Sequence, residues 1–317
     1  MVQKLQINTV AIRKKSLWIR VYEEICRNRY LYIMAIPVIT YYLLFCYLPM
    51  FGIVIAFKQY DIAKGIFESE WVGFKYFIEF FNGLYFGRIL FNTLAISICD
   101  LLFGFPAPII FALLLNELRN QKFKKVVQTV TYLPHFISII VICGMIVDFF
   151  STNGIVTKII VALGGEKINY IGSAEHFRAI YVGTNIWQGV GWASIIYLAA
   201  LANVDQELYE ASTIDGAGRL KQLIYITMPG IAPTVIIMLI LRIGQLLSVG
   251  YEKIILLYSP ATYKTADVIS SYVYRMGIGN ARYGYSAAVG LFQSIINLIL
   301  LFMANQLSKR YSDTALF

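Results

Sequence analysis

Long apolar runs alternate along this chain with short polar connections, and the length of the runs decides what they are. Crossing roughly 30 Å of hydrocarbon as a helix takes about 20 residues. Six runs meet that requirement: Leu31 to Phe57, Ile89 to Leu115, Val130 to Phe150, Ala179 to Ala202, Ile231 to Tyr258 and Tyr285 to Leu307. The expected fold is an all-α integral membrane protein with six transmembrane helices. Pro37, Pro49, Pro106, Pro108 and Pro134 fall inside the runs, where neighbouring helices can satisfy the carbonyls they free, so kinks are expected there. Leu31 to Phe57 exceeds the length of a signal-peptide core and lacks a small-residue cleavage site, so it counts as a span.

Composition points the same way. Of the 317 residues, 58% are hydrophobic and only 14% charged, with a mean hydropathy of +0.65. A soluble domain of that make-up would leave too much apolar surface in water. The net charge of +9 is unevenly distributed. Fifteen Lys and Arg residues fall in the first tail, the second-to-third connection, the fourth-to-fifth connection and the C-terminus, against ten in the opposite, longer and acid-mixed loops. The positive-inside rule then puts both termini in the cytoplasm and accounts for the charge without a nucleic-acid partner. Cys26, Cys46, Cys99 and Cys143 have no paired spacing, so neither a disulfide frame nor a metal site is indicated.

Two connections on the opposite side carry their own patterns. Trp71 to Phe81 is aromatic and amphipathic, and Gly154 to Leu163 ends at a Gly164-Gly165 stop. Each suits a cap on the bundle or a contact with an external partner.

The fourth-to-fifth connection is a polar island, Glu210-Ala211-Ser212-Thr213-Ile214-Asp215-Gly216-Ala217-Gly218-Arg219, closed by Ile226-Thr227-Met228-Pro229 and Pro233. Asp205 can cap a helix with Glu207 in its first turn, Asp215-Gly216 offers a sharp turn, and helix can resume from Arg219. Small residues on its face let another surface approach closely.

These strings resemble the EAA loop of the permease subunits of type I ABC importers. Tyr47-Leu48-Pro49-Met50-Phe51-Gly52, Tyr132-Leu133-Pro134, Gly250-Tyr251-Glu252-Lys253 and Ala266 to Arg275 extend the resemblance over nearly the whole chain, toward the branch that carries oligosaccharides and polysaccharide fragments. Ser212 stands where a second Ala is usual and Met228 where Leu is common. The resemblance implies a permease of the prokaryotic cell membrane, half of a translocation pathway. Its partners would be a cytoplasmic ATPase dimer, a second homologous permease and an extracytoplasmic solute-binding protein that delivers the sugar. Glu210, Ala211, Ser212, Asp215, Gly216, Ala217 and Pro229 would form the coupling helix region that meets the ATPase. ATP and Mg2+ would be used by that partner, since this chain lacks the Gly-x-x-x-x-Gly-Lys-Ser/Thr string and would itself bind no cofactor. The implied organisation is a tail (1–30), a first span with an interfacial segment (31–87), a transmembrane core (88–307) and a second tail (308–317).

Polar groups inside the runs are candidates for the path because each is costly against lipid. They are Asp100, Asp148, Arg242 and Glu252, with Asn92, Asn185, Gln188, Gln245, Gln293 and Asn297; interhelical hydrogen bonding is the other use of the amides. No sequence signal assigns Arg242 a partner. A sugar needs a flat aromatic platform and amides or carboxylates for its hydroxyls. Asn185, Trp187, Gln188 and Trp192 in the fourth run and Tyr251 and Glu252 in the fifth supply that mixture. Glu252 beside Lys253, with Arg242 in the same run, also suits an ion pair or a charged sugar. The membrane carboxylates Asp100 and Asp148 motivate one alternative, a secondary transporter driven by an ion gradient. A membrane-bound enzyme lacks a nucleophile or metal cluster.

Overall fold

The computed structural model describes residues 24, 26–311, 315 and 316. The basic positions Lys4, Arg13, Lys14, Lys15 and Arg20 lie outside the described residues. The chain separates into two units, one ending at Val54 and one beginning at Ile55.

In the first unit, α1 (Arg29–Tyr41) contains Pro37, continues through a π-helical turn, Tyr42–Tyr47, and passes into a tightened 3₁₀ run, Leu48–Phe57, that crosses into the second unit. None of the α1 residues is buried within the chain. A helix apolar on every side is suited to lipid or to another apolar surface.

The described residues of the second unit form helices and one small hairpin. The two-residue strands β1 (Lys58–Gln59) and β2 (Glu70–Trp71) pair antiparallel, and α2 (Lys75–Phe81) follows. Phe57 stacks on Trp71 at 5.8 Å and meets Phe74 and Phe77, so the aromatic stretch covers its own hairpin. Next come α3 (Phe86–Cys99), a π turn at Asp100–Gly104 and α4 (Pro106–Glu117), then α5 (Gln121–Phe136), α6 (Ile139–Phe150) and the short α7 (Ile155–Ala162). The 26-residue α8 (Phe177–Ala202) leads into α9 (Gln206–Ile214), α10 (Arg219–Gln222), a π turn at Leu223–Thr227 and α11 (Met228–Ile243). The chain ends in α12 (Tyr251–Leu257), α13 (Ile269–Tyr274) and the long α14 (Tyr283–Tyr311).

Among the described residues, five stretches are long and apolar enough to cross a bilayer: Arg29–Phe57, Phe86–Glu117, Ile139–Ala162, Arg219–Ile243 and Tyr283–Arg310. The fourth expected run is α8, which at ~1.5 Å per residue has the length to cross. Arg178, Asn185 and Gln188 make it more polar. It packs along α4, α5 and α11, and nine of its residues are buried. Gly191 permits the closest approach, since a Cβ there would sit 2.3 Å from the Thr131 carbonyl of α5.

Two expected spans are corrected. Val130 to Phe150 is not one helix: α5 ends just after Pro134, Ile137 and Ser138 are extended, and the Ser138 hydroxyl accepts from Val141 N–H to start α6. Ile231 to Tyr258 is likewise divided, because residues 244–250 leave the helix between α11 and α12. Non-helical backbone at membrane depth must find partners within the protein. Asn297 accepts from Leu247 N–H at 3.0 Å and donates to Ser248 Oγ at 2.9 Å. Gln293 donates to the Leu247 carbonyl at 3.0 Å, and Ser270 to the Val249 carbonyl at 2.6 Å.

Among the described residues the apolar core falls into three clusters. One gathers Ile142, Phe177 and Ile254 near the start of α8, another Phe80, Ile89 and Val289 along α14, and a third Ala112, Tyr197 and Ile231 near the end of α8.

Candidate functional site

The polar island folds as a helix–turn–helix whose every joint has a local cause. Asp205 Oδ1 accepts from Glu207 N–H at 2.9 Å and starts α9. The helix ends in a Schellman turn: Ala217 N–H donates to the Ser212 carbonyl at 2.9 Å and Gly216 N–H to the Thr213 carbonyl at 3.1 Å, with Gly216 at φ +77°. Only glycine adopts that conformation without strain.

Side chains then hook the two arms together. Gln222 Nε2 donates to Ser212 Oγ at 2.9 Å and Thr213 Oγ1 at 3.0 Å, while the Tyr209 and Thr227 hydroxyls lie 2.8 Å apart. Ser212 thus contributes a hydrogen bond that the usual alanine could not. Arg219 lies 3.7 Å from Glu117 at the end of α4, on the exposed surface. Glu210 and Ala211 are exposed, as are Leu208, Ile214, Leu220 and Tyr225, with Ile214 86% accessible. Pro229 sits in the first turn of α11, directly after the π turn Leu223–Thr227. Gly230 lets that helix seat against Val204; an added Cβ would stand 2.8 Å from Val204 Cγ2.

A cavity of about 370 Å³ lies where the fifth run breaks, within the roughly 300–1,000 Å³ range of small-molecule sites. Asn185, Gln188, Tyr251 and Glu252 all line it, together with Asp100, Arg242, Gln245 and Lys253. A second cavity of about 540 Å³ shares Asp100, Asn185, Arg242 and Gln245 and continues along α8 to Tyr197. The carboxylate of Asp100, presented by the π turn after α3, is ion-paired with the guanidinium of Arg242 at the end of α11, and this pair borders both spaces. Gly104 makes room for the carboxylate, since a Cβ there would stand 2.7 Å from Asp100 Oδ1. Lys253, only 4% exposed, donates to Asn185 Oδ1 at 2.6 Å and lies over the Tyr181 ring. Tyr251, half exposed, stacks with Tyr274 at 5.8 Å and offers an aromatic face.

Two expected path residues lie elsewhere. Trp187 borders a separate apolar recess with Phe149, Phe150 and Ile180, and Trp192 stacks on His135 at 4.7 Å, edge-on to Phe136. On a helix, 187 points about 100° away from 188, so one contiguous sequence string serves two faces. Asn92 is absorbed structurally: it donates to the carbonyls of Lys264 and Asp267 and accepts from Arg178 at 2.7 Å. Gln293 and Asn297 secure the break in the fifth run. Asp148 is exposed near the end of α6.

Sequence reading passed over a second polar centre. Asp267, with a fully buried side chain, receives two hydrogen bonds from Arg275 at 3.1 and 2.8 Å, one from Arg88 at 3.3 Å and one from Ser271 at 3.0 Å. Burial works against the Arg275 charge, but the hydrogen bonds and charge of Asp267 outweigh it and raise the guanidinium pKa. This clamp ties the segment before α13 to the start of α3.

Membrane-crossing helices, a polar cavity at a helix break and an exposed helix–turn–helix between two crossing segments define a membrane transport component. The family described as "Binding-protein-dependent transport system inner membrane component" matches residues 104–313, and the chain belongs to it. It is 46% identical over 292 residues to the protein LplB of Bacillus subtilis, covering 92% of each chain. It is 42% identical to the polygalacturonan/rhamnogalacturonan transport system permease protein YteP of the same organism, covering 96% of each. Among solved structures, a chain of a bacterial alginate ABC transporter in complex with an alginate pentasaccharide-bound periplasmic protein superposes with a TM-score of 0.86 at 42% identity. That match covers 94% of this chain and 100% of the other. The chain is therefore a permease subunit with the type I ABC importer fold, and these relatives lend no support to the ion-gradient alternative.

Proposed function

We propose that this chain forms half of the translocation pathway of an ATP-driven importer for an oligosaccharide or polysaccharide fragment, working by alternating access. The observation that carries the reading is the course of α11. It starts at the hooked helix–turn–helix and ends at Arg242 on the wall of both cavities, so one rigid element of about 24 Å, at 1.5 Å per residue, joins the exposed loop to the path. α9 is the coupling helix. Glu210, Ala211 and the exposed Leu208 and Ile214 give it a small, mixed surface for a groove in a cytoplasmic ATPase dimer, and both termini are cytoplasmic. A second, homologous permease completes the pathway, and an extracytoplasmic binding protein delivers the sugar. The names of YteP and of the alginate transporter support the substrate class. Tyr251 provides the stacking face, while Gln188 and Glu252 meet hydroxyls and Asn185 borders the same path.

Uptake of labelled oligosaccharide by proteoliposomes holding the full complex tests this. Transport requires enclosed ATP and Mg2+ and persists with ion gradients collapsed; loss on collapsing the gradient would overturn the reading. Glu210→Lys reverses a charge in a partner contact, where a broken charged pair typically costs roughly 2–5 kcal/mol. It should insert normally yet abolish ATP-driven uptake.

A further inference from the structure

The cavity at the helix break contains charges of unequal standing. Asp100 and Arg242 neutralise each other across it. Glu252 is exposed, where water screens it. Lys253 is 4% exposed, and among the described residues no carboxylate lies within ion-pairing distance of it. Its ammonium has three donors, of which one reaches Asn185 Oδ1, while the Tyr181 ring lies 5.2 Å away.

A buried cation held by an amide oxygen and a ring face is stabilised only in part, because burial without an opposite charge is costly. The same charge attracts an anion far more strongly than an exposed one would, since the effective dielectric falls with burial. Asn185 contributes too. Its Oδ1 is occupied by Lys253 and its amide also bonds the Tyr181 hydroxyl, which leaves one Nδ2 donor, and the residue borders both cavities.

We propose that Lys253 Nζ and Asn185 Nδ2 form a carboxylate subsite on the translocation path, so that the saccharide carried is an acidic one bearing uronate carboxyl groups. The inference rests on the carbohydrate-importer reading. A sugar carboxylate supplies the missing counter-charge and accepts from both donors, while Gln188 and the screened Glu252 take hydroxyls of the same ring. Asp100 holds Arg242, leaving Lys253 to bind the anion.

The test is ATP-driven uptake by proteoliposomes containing the complete complex with its binding protein, offered a short oligouronate or the same oligosaccharide with its carboxyl groups reduced to alcohols. The unaltered protein should import the oligouronate, and K253Q should lower that uptake at least about tenfold, as expected for loss of a charge-assisted hydrogen bond. K253R should retain most of it. Asn185→Asp places a carboxylate beside the ammonium and should mimic the occupied subsite; it is expected to fold well and to reduce oligouronate uptake as K253Q does. In each variant, basal ATP hydrolysis and sugar binding by the isolated binding protein should stay unchanged. Unaltered oligouronate uptake by both K253Q and Asn185→Asp, or import of the reduced sugar alone by the unaltered protein, would overturn the subsite. Import of neither sugar would instead remove the carbohydrate reading itself, and the subsite with it.

Discussion

The Asp100–Arg242 pair makes a quantitative prediction because its two ends are unequally buried. The Asp100 side chain is 11% exposed and that of Arg242 is 45% exposed. Arg242→Gln strands a carboxylate that has little access to water, and breaking a buried pair from that side costs about 3–5 kcal/mol. Asp100→Asn leaves a guanidinium that still faces the cavity and can hydrogen-bond the amide oxygen, so the loss should resemble that of an exposed pair, about 1 kcal/mol. The double variant removes both charges and should recover much of the Arg242→Gln loss, giving a favourable coupling of ~2 kcal/mol. Equilibrium denaturation of the detergent-solubilised complex measures all three variants. Equal losses in the two single variants, or losses that simply add in the double, would refute the argument that the buried carboxylate dominates.

Three other outcomes are expected. Gly216→Val meets no neighbouring atom, yet it forces a β-branched residue to φ +77°, so it should weaken the α9–α10 turn by about 1–2 kcal/mol and lower ATPase affinity in pull-down titrations, with Gly216→Asn milder. Asp267→Asn keeps shape but weakens charge-assisted bonds to Arg88 and Arg275, and should cost about 1–3 kcal/mol in denaturation and expose residues 258–268 to protease. Single cysteines at the exposed positions Thr213 and Gln121 should resist an impermeant thiol reagent applied to intact cells while those at Glu70 and Glu166 react, and labelling of the first pair would reverse the orientation.

Much of the fold was legible because the requirement to span hydrocarbon acts locally. Run length located helices at Phe86–Glu117, Phe177–Ala202 and Tyr283–Tyr311 within a few residues of the expected ends. The polar island was equally readable, since an Asp cap and an Asp-Gly turn depend on neighbouring positions alone. Gln222 escaped notice because its partners, Ser212 and Thr213, become neighbours only after the turn at Gly216 has formed.

The breaks were not legible for a related reason. Residues 244–250 mix Leu246, Leu247 and Val249 with Gly244, Gln245, Ser248 and Gly250, which weakens a helix without by itself requiring it to stop. What stabilises the open backbone is Gln293 and Asn297, which approach it from α14, nearly 50 residues later in the chain. The candidate site inherits this non-locality. Asp100, Gln245 and Lys253 come from three elements that meet only because the fifth run opens, and Lys253 reaches Asn185 across 68 positions. A polar residue in an apolar run announces a cost, but its use depends on the geometry opposite it. Asn92 and Asn185 look alike in sequence, yet one holds loop carbonyls and an arginine while the other lines both cavities. Adjacent tryptophan and glutamine at 187 and 188 diverge for the same reason, because a helix turns consecutive side chains toward different neighbours.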